Sequence, residues 1–190
     1  KSIKILEERV NDVFLGKKDE LLWIVEHNSV YTAGTSSKKV DLVDKNLNII
    51  KTNRGGKYTY HGPGQKVVYF VLNLNKREKD IRKLLHRIEN CIIEILKEYN
   101  IKSYADDKNI GIWVDGRKKS MKIAAIGIRV KKWIAYHGFA LNISTDLSKY
   151  SGIIPCGVKN KGITSLKDLG ISNYNNIDEI IIKKFLNIFL

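Results

Sequence analysis

Cys156 stands between Pro155 and Gly157. Proline removes a backbone donor and fixes φ, and glycine adds no side chain to crowd a ligand. A cysteine framed this way is presented on a loop, as an incidental thiol or as a nucleophile. Lys122 opens the almost uncharged run KIAAIGI, directly after the basic RKKS. Its ammonium either reaches back to water along its own stem or is held away from water. In the second case a lysine favours its neutral amine and can serve as a base. His61 and His137 each precede a glycine, in YHGPG and YHGFALN, whereas His27 and His86 read as ordinary surface or strand-end residues. A zinc site built from His61, His137 and Cys156 would lack the closely spaced ligand pairs that such sites show, so no metal is expected.

The stretch RGGKYTYHGPGQ, Arg54 to Gln65, holds four of the 14 glycines and one of the two prolines. A simple turn needs far fewer. It is no P-loop, lacking GxxxxGK[ST]. It is no dinucleotide fingerprint either, because a strand follows it rather than a helix. It does offer bare backbone N–H groups that could hold a carbonyl, a phosphate or an amide.

The elements around these residues follow from periodicity. LLWIVEH (Leu21–His27) reads as a buried strand, NIIKT (Asn48–Thr52) as a second, and KVVYFVLNL (Lys66–Leu74) as a third, so the glycine-rich segment joins two strands. A helix follows from an Asp80 cap. Ile81, Leu84, Leu85, Ile88, Cys91, Ile92, Ile95, Leu96 and Tyr99 form its apolar stripe, and Asn100 is its stop. Cys91 on that stripe is a small core hydrophobe. GIWV, KIAAIGIRV and WIAYHGFALNI, broken at Asp115-Gly116 and Lys131-Lys132, predict an antiparallel meander. GIIPCGV (Gly152–Val158) reads as a loop. A last helix starts near Ile177 with Asp178 and Glu179 in its first turn, where the helix dipole favours them. Its apolar face is Ile177, Ile180, Ile181, Phe185, Ile188 and Phe189. The sum is a single α+β domain with a mixed, largely antiparallel sheet flanked by helices.

Composition sets bounds. With 190 residues, 43% hydrophobic and 28% charged, the chain can bury a substantial core. The longest unbroken apolar run, Val67–Leu72, is far too short to span a bilayer, and the N-terminal stretch has no secretory apolar region. A cytoplasmic setting is expected. Cys91 and Cys156 form no CxxC pair. The net charge of +14 fits an acidic partner, or lysines spread over a solvated surface through composition alone.

RGGKYTYHGPGQ, KIAAIGIRV, HGFALN and IIPCGV occur in the order found in lipoyl(octanoyl) transferases, which the chain resembles from about Glu26 to Leu166. EHNSVYTAG and GITSL are similar to further segments of that family. The resemblance implies a fold like the catalytic domain of biotin and lipoate protein ligases. It implies transfer of an octanoyl group from acyl carrier protein to an enzyme cysteine, here Cys156, and then to a lysine ε-amine on lipoyl domains of 2-oxoacid dehydrogenases and on the glycine cleavage H protein. Lys122 would be the general base. Arg54, Gly55, Gly56, Lys57, Tyr58, Thr59, Tyr60 and His61 would line the acyl and pantetheine pocket. Ala125, Ile126 and Gly127 would line it from one strand, and Gly138, Phe139 and Ala140 from another. His137, Asn142 and Gly157 would support them. Phe139 stands where many members carry a smaller aliphatic residue, which bears on acyl-length choice. No cofactor, ATP or metal is implied, because a thioester is already activated. An ATP-dependent lipoate or biotin ligase would have no use for the nucleophilic cysteine. An octanoyl amidotransferase matches the first motif poorly. A basic nucleic-acid binder would want clustered arginines and exposed aromatics on a sheet.

Overall fold

The computed structural model describes residues 1–116, 118–154 and 161–190. Cys156 and Gly157 therefore lie outside the described residues. Thirteen residues at the start form α1 (Ser2–Phe14), where the sequence reading placed no element. The signal was present: Leu6, Val10 and Val13 recur at helical spacing, and all three are buried.

The larger sheet contains β1 (Leu21–Val25), β5 (Gln65–Asn73), β6 (Tyr104–Ala105), β7 (Ile112–Asp115), β8 (Ser120–Lys131), β9 (Ile134–Asn142) and β10 (Gly162–Ile163). Its order is β1-β5-β9-β8-β7-β6, with β10 beside β8. Among its described pairings only β10–β8 is parallel. The predicted meander is therefore present as β7, β8 and β9. Its second turn falls one residue later than expected. Lys132 and Trp133, at φ +54° and +61°, make the double left-handed turn that suits a two-residue hairpin.

Three more strands form a separate small sheet that the sequence reading did not separate. These are β2 (Val30–Ala33), β3 (Ile49–Lys51) and β4 (Tyr58–His61), in the order β3-β2-β4. β4 lies inside the glycine-rich stretch, so that stretch is not simply a connector between two strands. β1 also corrects its expectation, since it is half-buried throughout and stops at Val25. It is the outermost strand of its sheet, and an edge strand has a neighbour on one side only.

The helices sandwich the large sheet. α2 (Ile81–Lys97) and α3 (Ile177–Phe189) cover one face, burying Ile88, Ile92, Ile181 and Phe185 against Val68, Phe70 and Leu141. α1 covers the other with Leu6, Val10 and Val13 against Val71, Ile134 and Tyr136. Cys91 is fully buried in the first of these layers, and burial pushes its thiol up to about 12. The Asp80 carboxylate accepts from the Arg82 and Lys83 N–H groups and starts α2. Asn100, at φ +57°, ends it, with the Ile101 N–H bonded back to the Leu96 carbonyl at 3.2 Å. One part of the predicted stripe is not core. Ile81 is 46% exposed and Leu85 half-buried, and both border a cavity instead. No helix among the described residues is long and apolar enough to cross a membrane.

Candidate active site

β8 and β9 run side by side through the centre of the large sheet, and the glycine-rich stretch lies across β8 beside them. The approach is close because two glycines meet. A Cβ on Gly55 would come within 2.8 Å of the Ile128 carbonyl oxygen, and one on Gly127 within 3.1 Å of the Gly55 oxygen. Gly127 is thus small because backbone packs on it, a reason beyond leaving room for an acyl chain. At Gly138 a Cβ would strike the Val68 oxygen at 1.8 Å.

These segments enclose a cavity of about 780 Å³, within the size range of small-molecule sites of roughly 300–1,000 Å³. Apart from Tyr60, each described residue expected to line the acyl pocket borders it, as do Lys122, His137 and Asn142. The Tyr60 ring instead packs with Tyr31 and Tyr150, and its hydroxyl meets Ser29 Oγ at 2.9 Å.

Lys122 is buried in this wall, at 3% exposure. It does not reach back to solvent. Its Nζ donates to the Ile110 carbonyl at 2.7 Å and lies 4.5 Å from the Trp113 ring centre. A register shift between Ile112 and Trp113 carries β7 past this point.

The chain flanking residues 155–160 is fixed on both sides. Before it, Ile153 bridges to Leu42 and the Ile154 N–H donates to the Asp41 carbonyl at 2.8 Å. After it, β10 sets Gly162 opposite Met121 and Ile163 opposite Lys122, and the Thr164 N–H donates to the Lys122 carbonyl at 3.0 Å. Asn142 anchors the chain just after β10 by donating Nδ2 to the Thr164 carbonyl at 3.0 Å.

Arg54 both borders the cavity and pins its own loop. Its guanidinium donates to the Thr32 hydroxyl at 2.7 Å, and to the carbonyls of Thr32 at 3.0 Å, Lys57 at 2.8 Å and Gly55 at 2.9 Å. This planar fork ties the glycine turn to β2. Gln65 does the same deeper in. Its Nε2 donates to the Asn142 Oδ1 at 2.9 Å, the Tyr150 hydroxyl at 3.0 Å and the Tyr60 carbonyl at 3.2 Å. Its Oε1 therefore accepts, and His61 Nδ1 is the donor of their 2.7 Å bond.

The second histidine is placed by its backbone. His137 has φ +71°. Successive strand residues normally point to opposite faces, yet its ring stacks on the neighbouring Tyr136 with centres 4.7 Å apart. Asn53 Nδ2 donates to Glu7, so its Oδ1 accepts from His137 Nε2 at 2.6 Å. Burial pushes both His61 and His137 down to about 4. Both are neutral near pH 7. His27, read from sequence as ordinary, also borders the cavity. Its Nε2 lies 2.8 Å from the Tyr69 hydroxyl, and its ring meets His61 edge-on. The alternation of β5 that places Tyr69 was its available signal. Among the described residues no cluster of three or more His, Cys, Asp or Glu could hold a metal ion.

The family model of the lipoyl protein ligase A/B catalytic domain matches residues 2–186, and the chain belongs to that family. Among its relatives, an octanoyltransferase of Wolbachia sp. subsp. Brugia malayi is 47% identical over 99% of this chain and 93% of its own. One of Ehrlichia chaffeensis is 48% identical over 99% and 89%, and one of Rickettsia conorii is 48% identical over 99% and 92%. The activity is that of an acyltransferase enzyme. Solved structures support the fold alone. A bi-partite lipoate protein ligase of Thermoplasma acidophilum superposes with a TM-score of 0.71 at 15% identity, over 90% of this chain and 71% of its own. The biotin protein ligase of Aquifex aeolicus gives 0.51 at 13%, over 83% and 68%.

Proposed function

We propose that this chain takes the octanoyl group of octanoyl-acyl carrier protein onto Cys156 as a thioester. It then passes the group to the ε-amine of a specific lysine on lipoyl domains of 2-oxoacid dehydrogenase complexes and on the glycine cleavage H protein. The observation that carries this reading is the register of β10 on β8. Ile163 lies opposite Lys122, so the chain seven residues after Cys156 lies beside a buried lysine on the wall of a large, mostly apolar cavity.

The steps follow from the residue types. Lys122, as general base, takes the thiol proton of Cys156, and the thiolate attacks the donor thioester carbon. The tetrahedral intermediate expels the carrier's pantetheine sulfur, which takes the proton that Lys122 accepted and so leaves Lys122 able to act as base again. In the second half the acceptor amine attacks the enzyme thioester and Lys122 removes its extra proton. The C–N bond forms, the C–S bond breaks, and Cys156 leaves as thiolate without needing an acid. Neither ATP nor a metal enters, because the acyl group arrives activated. The cavity takes the alkyl chain, and the glycine-rich wall brings backbone close to the pantetheine arm. The net charge of +14 suits an acidic carrier. A soluble carrier sets the reaction in the cytoplasm.

The test is multiple turnover with octanoyl carrier protein and an isolated lipoyl domain, without ATP. The expected result is octanoyl-lipoyl domain in excess over enzyme, and none when the domain's lysine is replaced by arginine. Transfer that starts only when ATP and free octanoate are added would overturn the reading in favour of a ligase.

A further inference from the structure

The loop between β6 and β7 is organised by one carboxylate. Asp106 Oδ1 accepts the Lys108 N–H at 2.9 Å, and Oδ2 accepts the Asn109 side-chain amide at 2.8 Å. Oδ2 also takes the Lys161 ammonium. The same loop then reaches the catalytic wall through two carbonyls. Asn109 O accepts the Trp113 indole N–H at 2.8 Å, and Ile110 O accepts Lys122 Nζ at 2.7 Å. Lys161 and Lys122 lie over the same ring, 4.1 and 4.5 Å from the Trp113 centre.

This pair differs from the chain's surface ion pairs. The side chains of Lys161 and Asp106 keep 23% and 21% of their exposure, against 84% and 63% for Lys4 and Glu8. Exposed pairs contribute little, while a sheltered pair with further hydrogen bonds on its carboxylate fixes geometry. The Lys161 ammonium, then the Asn109 amide, hold the Asp106 carboxyl well below the usual carboxylate range. Lys161 is also placed for leverage, since it is the residue immediately before β10 and five after Cys156. At this point the cavity wall is made by Lys108, Asn109 and Ile110, not by the ion pair itself.

We infer that Asp106 and Lys161 are positioning residues for acyl transfer, their ion pair setting the end of the Cys156-bearing segment against the loop whose Ile110 carbonyl holds Lys122. The inference rests on the proposed Cys156–Lys122 chemistry. Nucleophile and base come from chain segments more than 30 residues apart, so something must hold the two segments in register. A misplacement of about 1 Å can cost on the order of 100-fold in rate.

The experiment is a mutant cycle with Asp106→Asn, Lys161→Met, the double variant and Lys161→Arg. The rate of octanoyl adduct formation on Cys156 is read by intact mass, at low and saturating octanoyl carrier protein, with melting temperature alongside. Each of the two disrupting variants is expected to slow the saturated rate by about 10- to 100-fold, with half-saturation changed less than twofold. The double variant should be no slower than the slower single, and Lys161→Arg should stay within about threefold of the parent. Saturated rates within twofold of the parent in either disrupting variant would overturn the pairing, as would losses that multiply in the double. A Lys161→Arg variant as slow as Lys161→Met would do the same. A parent protein that forms no adduct at all would sink the acyl-enzyme reading beneath it, a distinct failure.

Discussion

β9 is buried along all nine of its residues, whereas β3 leaves Ile50 and Lys51 exposed. The two strands represent two ways of building. The large sheet is clamped between apolar helix faces, with Phe70 against Phe185 on one side and Val71 against α1 on the other. The small sheet meets the large one through polar contacts of Gln65 in β5 with His61 and the Tyr60 carbonyl in β4, while Arg54 ties the glycine turn to β2 through Thr32. Lys122 stands on the first kind of support and the glycine-rich wall on the second. Lys122 is therefore held by packing that cannot shift without a large loss. The glycine-rich wall is held by hydrogen bonds that can be removed singly.

Four perturbations separate these regions, the largest first. Lys122→Ala is expected to keep the fold and lower single-turnover acyl transfer by about 10²- to 10⁴-fold, the usual contribution of a positioned base. A folded variant turning over near the parent rate would remove Lys122 from the mechanism. Phe70→Ala, in the large sheet, should cost about 3–5 kcal/mol in urea unfolding. A loss under 1 kcal/mol would show that this layer is not the principal support.

Acid acts on the cavity wall. His61 and His137 have folded values near 4, against an ordinary value of 6.5. Above about pH 6.5 both states are neutral and the full stability is present. As pH falls from there toward 4 the unfolded chain takes up protons that the folded one refuses, and stability is lost, on the order of 2–3 kcal/mol per histidine. Unfolding midpoints at pH 7 and pH 4.5 should differ less in His137→Gln than in the parent. An unchanged difference would contradict the buried, neutral assignment. The smallest effect is expected for Gln65→Ala, about 1–3 kcal/mol from the partners it leaves unpaired. Half-saturation for the donor should rise more than the saturated rate falls, and the reverse pattern would place Gln65 in the catalytic support instead.

The large sheet was legible because its strands and helices repeat apolar residues at clear periods. Asp80 and Asn100 mark the ends of α2 as their chemistry predicts. In the small sheet only β3 was legible, in NIIKT; β2 and β4 were not, because each is four residues long and β4 lies in the glycine-rich stretch, held by side chains whose reach leaves no period. α1 was missed although its spacing was available in Leu6, Val10 and Val13. Ile81 shows the converse: it keeps helical spacing with the core but faces the cavity, and periodicity cannot tell one apolar surface from the other. The cavity-lining residues were legible only through motif resemblance. His27 and Tyr69 fell outside those motifs, and only the fold brings them to the wall.

The central claim is that the Lys122 wall serves a thioester on Cys156. It is tested most directly by mixing the protein with octanoyl carrier protein alone, without ATP or acceptor, and measuring intact mass. The account predicts one octanoyl group added to the parent protein and none to Cys156→Ala. An adduct that persists in Cys156→Ala, or an active protein that never carries the group, would contradict it.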